Sequence, residues 1–196
     1  MSDERRRPRH SRHDAEDTGK ALVVVDMLNP YEHDEADELA ENVAQAVPGI
    51  RALVEGARDA DVPVIYVNDN YGDWNSSAEE LADRAMRGRH PDVVEPILPP
   101  EGAKFVIKAR HSAFYETPLE YLLDQLGASR LVIAGQVTEQ CILYSALDAH
   151  VRHLAVTVPR DAVAHIHRDL ADAALRMMER NMDADLIAAG ELSWAE

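Results

Sequence analysis

The chain has 196 residues, enough for one domain with a sizeable core, and 46% hydrophobic with 29% charged residues is an ordinary globular mix. No apolar run approaches the roughly 18 residues of a membrane span, and no signal segment opens the chain, so it reads as cytoplasmic. The net charge of −16 would repel nucleic acid and anionic lipid, and the single cysteine, Cys141, excludes an internal disulfide and argues against a thiolate-held structural zinc.

Residues 1–19 read as a flexible leader, because charge and proline dominate there, the basic run Arg5 to His10 included. From Lys20 the character changes, and 20–196 is predicted as a single domain. Ala21-Leu22-Val23-Val24-Val25 is a short β-branched run of the kind buried on both faces of a parallel sheet; it stops at Asp26. A polar loop follows, then a helical stretch from Glu35 to Asp61 that Pro48-Gly49 should interrupt. Val62 to Val67 is the second strand, with Pro63 tolerable only at its start. Ser77 to Arg89 reads as a helix capped by Ser76 or Ser77. After a proline-rich link, Lys104 to Ile107 is the third strand, ending at Lys108. Thr117 should cap a helix with Pro118 at its first position, running to Leu126 and stopping at Gly127. Arg130 to Ala134 is the fourth strand, Thr138 to Val151 a helix, His153 to Val158 the fifth strand and Arg168 to Met182 the last helix. Ala184 to Ala188 is a candidate sixth strand.

Strands alternating with helices predict a three-layer α/β/α architecture around a mostly parallel sheet of five or six strands. Ligands bind such sheets beyond the carboxyl ends of the strands, at a switch in topology. That rule selects Asp26, Asn68-Asp69-Asn70, Lys108, the turn from Gly135 to Cys141, and Arg160-Asp161. A thiol attacks a carbonyl as thiolate, and Cys141 stands near the start of a helix that Thr138 would cap, where amide dipoles favour negative charge. Lys108 would lower the thiol pKa, Asp26 would carry the thiol proton to the leaving amine, and turn amides would bind the oxyanion.

Three segments resemble the isochorismatase-like cysteine hydrolases: Val23-Val24-Val25-Asp26-Met27, Ile107-Lys108-Ala109-Arg110-His111-Ser112-Ala113-Phe114, and Gly135-Gln136-Val137-Thr138-Glu139-Gln140-Cys141. The family includes nicotinamidases, N-carbamoylsarcosine and ureidoacrylate amidohydrolases, and isochorismatases. The resemblance implies the Rossmann-like isochorismatase fold, with Asp26 as general base and acid, Lys108 as charge partner and Cys141 as nucleophile. It implies a cis peptide at Gln136–Val137, with the amides of Val137 and Cys141 as oxyanion hole. It also implies a small-molecule substrate and a homo-oligomer, dimer or tetramer.

Two departures refine this. Nicotinamidases carry an Asp-x-His metal group after the second strand; here Asn68-Asp69-Asn70-Tyr71-Gly72-Asp73-Trp74 holds no histidine, so no metal or other cofactor is expected. Isochorismatases comparable in the Lys108 segment lack the cysteine, because vinyl-ether hydrolysis needs no thiol. Retention of Cys141 tilts the reading to cleavage of a C–N bond in a small amide, carbamoyl or ureido compound through a thioester. Vinyl-ether hydrolysis with Asp26 as acid is the alternative enzyme, and a binding or interaction module the alternative without catalysis. A dinucleotide site would need a glycine fingerprint where Asp26-Met27-Leu28-Asn29 stands.

Asn29, left as the nearby amide where many relatives have glutamine before it, is a candidate substrate contact, as is Asn70. Tyr31, Tyr71, Trp74 and Phe114 lie in strand-end loops that would wall a pocket. His111 would contact substrate or shape its loop. Arg110 is expected to make an ion pair in so acidic a chain, and His165 and His167 to be polar helix-entry residues.

Overall fold

The computed structural model describes residues 19–195, so the basic run expected in the leader falls outside the described residues. The elements follow as β1 (Gly19–Val25), α1 (Ala36–Asp59), β2 (Val64–Asp69), α2 (Ala78–Met86), α3 (Pro91–Val94), β3 (Lys104–Lys108), α4 (Leu119–Gln125), β4 (Ala128–Gln136), α5 (Leu143–Val151), β5 (Ala155–Pro159), β6 (Val163–Ala164), α6 (Arg168–Met182) and β7 (Asp185–Ile187).

Every strand pairing is parallel, in the order β3-β2-β1-β4-β5-β7. The two-residue β6, which the sequence did not suggest, pairs with Gly135 and Gln136 of β4 and prolongs the edge that β5 starts lower down. The chain builds β1, β2 and β3 outward in one direction and then returns to the other side of β1 for β4. The topological switch therefore lies between β1 and β4.

The pleat of β1 divides the core. Leu22 and Val24 face α1, α2 and α3, whereas Ala21, Val23 and Val25 face α4, α5 and α6. A period of two with both faces apolar is why this strand reads as an unbroken hydrophobic run.

Helix α1 runs through Pro48 without the expected interruption. Proline inside a helix costs about 3 kcal/mol. Against that stands the face formed by Leu39, Val43, Ala46, Ile50, Leu53 and Ala57, all buried on the sheet, each large aliphatic contributing about 1.5–3 kcal/mol. Packing therefore wins over local propensity. Ser77 caps α2 with a reciprocal bond to Glu80, as its spacing indicates. Helix α4 starts at Leu119, one residue later than expected, with Pro118 in the cap position and the Thr117 hydroxyl accepting from the Leu119 amide at 3.3 Å. Among the described residues no helix is long and apolar enough to cross a membrane.

Candidate active site

Asp26 leaves β1 in a left-handed conformation (φ 55°), a cost of about 1–3 kcal/mol for a side chain other than glycine. The turn aims its carboxylate along the strand ends, where it collects partners. Oδ1 accepts from the Asp69 amide at 2.8 Å, and Oδ2 lies 2.8 Å from Lys108 Nζ. Burial pushes the carboxyl pKa up, opposed by the Lys108 charge and by bonds from the Cys141 thiol and Lys108.

Lys108 ends β3, and the sheet register sets it beside Asp69 at the end of β2. Its side chain is wholly buried, with Nζ 3.5 Å from Asp69 Oδ2 and 3.7 Å from Cys141 Sγ. Burial alone would lower its pKa; Asp26, Cys141 and Asp69 together outweigh that and raise it, so the group stays an ammonium.

Cys141 sits in a π-helical turn, Thr138–Ile142, that precedes α5. The Ile142 amide reaches back to the Val137 carbonyl at 3.1 Å, and such wide turns recur at functional sites. Thr138 does not cap this turn. Its hydroxyl donates to the Ala164 carbonyl at 2.8 Å, because β6 brings that acceptor alongside. Burial raises the thiol pKa, as does the Asp26 charge. Lys108 and the Val137 amide lower it, but they are outweighed. Burial and the Asp26 charge therefore favour the thiol at rest, not the Lys108-stabilised thiolate that sequence reasoning suggested.

The peptide between Gln136 and Val137 is cis. Gln136 is buried; its Nε2 donates to the Asp26 carbonyl at 2.5 Å and its Oε1 accepts from the Tyr31 hydroxyl at 3.4 Å. It thus ties the end of β4 to the turn after β1, across the topological switch.

A cleft of about 860 Å³ opens over Lys108 and is also lined by Asp69, Asn70, Trp74, Arg110 and His111. Of the expected substrate contacts, Asn70, Trp74 and His111 line it, Trp74 being 81% exposed. Three others lie off it. Asn29 spends its side-chain oxygen on the Tyr31 amide at 2.7 Å. Tyr31 is fully buried, edge-on to His90. Phe114 is a core residue covered by the Arg152 guanidinium at 5.0 Å. Strand-end loops place large aromatics near a pocket, but burial of their area draws these two inward. Arg110 makes no ion pair among the described residues and donates to the Ala109 carbonyl at 3.3 Å. His167 faces Glu35 at 3.1 Å, and no group of three His, Cys, Asp or Glu side chains among the described residues is arranged to hold a metal.

Two residues that sequence reasoning placed at the strand ends, without giving them partners, also bear on the site. Asp69 touches both Asp26 and Lys108; the register of β2 against β3 is the signal that finds it. Tyr71, half-buried in the wall of the cleft, donates its hydroxyl to the Leu28 carbonyl at 3.0 Å and holds the loop after Asp26.

A parallel α/β sheet with thiol, carboxylate and ammonium gathered at its switch point defines the class, a hydrolytic enzyme of the α/β type. The chain belongs to the isochorismatase family, whose domain matches residues 20–190. It is 37% identical over 167 residues to the isochorismatase family protein YaaI of Bacillus subtilis, covering 85% of this chain and 92% of that one. It is 30% identical over 163 residues to maleamate amidohydrolase of Pseudomonas putida, covering 79% and 76%. N-carbamoylsarcosine amidase of Thermoplasma acidophilum superposes with a TM-score of 0.70 at 28% identity, over 90% of this chain and 99% of that one.

Proposed function

We propose that the protein hydrolyses the C–N bond of a small amide, carbamoyl or ureido compound through a thioester on Cys141. The observation that carries this reading is the chain of contacts from Cys141 Sγ to Lys108 Nζ at 3.7 Å and on to Asp26 Oδ2 at 2.8 Å. Sulfur attacks the carbonyl carbon as Asp26 takes the thiol proton, and the amides of Val137 and Cys141 receive the developing oxyanion. Asp26 then gives its proton to the leaving nitrogen, the C–N bond breaks, and water releases the acyl group. Lys108 keeps the carboxylate oriented and balances its charge. The amide-cleaving relatives support a C–N substrate, and the cleft supports a small one.

A second reading rests on the raised pKa of Asp26, which suits a carboxylic acid that protonates a vinyl ether, with Cys141 a bystander. One panel separates the two. Wild type and Cys141→Ala are assayed on small amides, ureido acids and isochorismate, with release of ammonia or amine, or loss of the enol ether, as the readout. Amide hydrolysis that disappears in Cys141→Ala is the expected result. Full amide turnover in that variant, or undiminished turnover of isochorismate alone, overturns the covalent reading.

A further inference from the structure

We propose that His111 is a second proton-transfer group of this site, the base that activates the water releasing the acyl group from Cys141. The proposal rests on the thioester reading above. Its ground is position. His111 Nδ1 lies 3.8 Å from Cys141 Sγ, and the ring is exposed in the wall of the cleft. Asp26 lies deeper: it is 7% exposed, and its two oxygens are taken by the Asp69 amide and Lys108 Nζ. Water entering by the cleft meets the imidazole before it meets the carboxylate.

An exposed loop histidine is ordinarily free to swing into solvent. This one is held. Its ring packs against Tyr144 at 5.6 Å between centroids. The residues that follow are stapled to α5: the Ser112 hydroxyl donates to the Asp148 carboxylate, and the Ala113 amide donates to Ser145 Oγ at 2.9 Å. Helix α5 continues directly from the turn that carries Cys141, so imidazole and sulfur ride on one rigid unit. Catalytic groups gain from such fixed geometry, because no ordering is needed at the moment of reaction.

The step balances as follows. Neutral imidazole removes a proton from water while the water oxygen bonds to the thioester carbonyl carbon, giving a tetrahedral oxyanion and an imidazolium. The oxyanion collapses, the C–S bond breaks, and the acid departs. The thiolate takes the proton back from Nδ1, which already faces it.

A p-nitrophenyl acetate experiment tests this without knowledge of the natural substrate, since acetylation and deacetylation are read separately. Wild type should release a burst of nitrophenolate and then turn over; Cys141→Ala should give no burst. His111→Gln, at an exposed position that leaves the core intact, should keep the burst but hold the acetyl group on Cys141, visible by mass, with deacylation about a hundredfold slower. Added free imidazole should restore part of the lost rate. Deacylation in His111→Gln at the wild-type rate overturns the proposal, and so does loss of the burst itself, which would put the histidine's work on the thiol rather than the water. Failure of wild type to carry acetyl on Cys141 overturns the thioester reading, and this inference with it.

Discussion

The ammonium of Lys108 is what allows the buried Asp26 carboxylate, the half-buried Asp69 and a thiol to crowd together. Asp26 and Asp69 both face it, at 2.8 and 3.5 Å, and no solvent reaches its side chain. Replacing one partner of such a group leaves the rest buried without a counter-charge, which costs about 3–5 kcal/mol. Lys108→Met should therefore lose about that much stability in urea unfolding at neutral pH, besides losing activity. The deficit should also depend on pH. Burial already holds the Asp26 carboxyl above its usual pKa, and Lys108 is the main force pulling it down. Without Lys108 the folded-state value rises further above the unfolded one. A carboxyl raised in this way stabilises the fold while protonated, and that contribution is lost as pH rises through the folded value. The loss in Lys108→Met should accordingly shrink toward about pH 5 and widen toward about pH 8. A deficit that stays the same across this range would mean that Asp26 is not the group left unpaired. Asp26, Lys108 and Cys141 were legible in the sequence because each ends a strand or opens a turn on the same edge of one sheet. Asp69 was legible as a strand-end residue, but its partnership with Lys108 was not, since that depends on strand register, which no local pattern encodes. Nor was the state of the sulfur, which is set by burial and by Asp26 together.

Among the elements, α1 shows how far local rules reach. Pro48-Gly49 reads as a break, yet the helix continues because its apolar stripe is committed to the sheet on both sides of the pair. Gly49 has a separate reason to be there. A Cβ on it would stand 2.5 Å from the Asp161 carbonyl oxygen, so the glycine lets α1 approach the turn that leads from β5 into β6. In an open helix, glycine to alanine gains up to about 1 kcal/mol. Gly49→Ala should do the opposite and lose about 1–3 kcal/mol, as overpacked contacts do, read as a lower urea midpoint with an unchanged slope. A gain in stability would show that α1 and this turn can separate freely. The same close-approach argument applies at Gly135, where β4 presses on the Val25 carbonyl just below the site, with φ at 118°. The strands other than β6 were plain in the sequence, since apolar runs between turn residues have few other readings. The turn at Cys141 was not, because Thr138 has the composition of a cap and is diverted only once β6 lies beside it. Tyr31 and Phe114 were misplaced for a related reason: loop position suggests a pocket wall, whereas the area of an aromatic ring favours the core.

At the scale of the whole molecule, charge sets how substrate arrives. The chain carries a net charge of −16, and the cleft mouth repeats the imbalance, with Asp69, Asp73 and Glu116 against Lys108 and Arg110. Lys108 is already matched to Asp26, so an approaching anion meets a field that is negative on balance. Such a field slows like-charged ligands over distances of the order of the Debye length, about 10 Å at 0.1 M salt and about 30 Å at 0.01 M. For an anionic small amide that the protein turns over, kcat/KM should rise severalfold between about 0.01 and 0.2 M sodium chloride, while kcat holds steady, because salt relieves the approach and not the chemistry. A neutral primary amide of similar size should show no such rise. Arg110 decides the local exception. If its guanidinium dominates the cleft, the anionic amide should instead lose kcat/KM as salt is added, and Arg110→Gln should remove that loss. The sign of the salt effect therefore measures whether the acidic body or the single cation at the mouth governs entry.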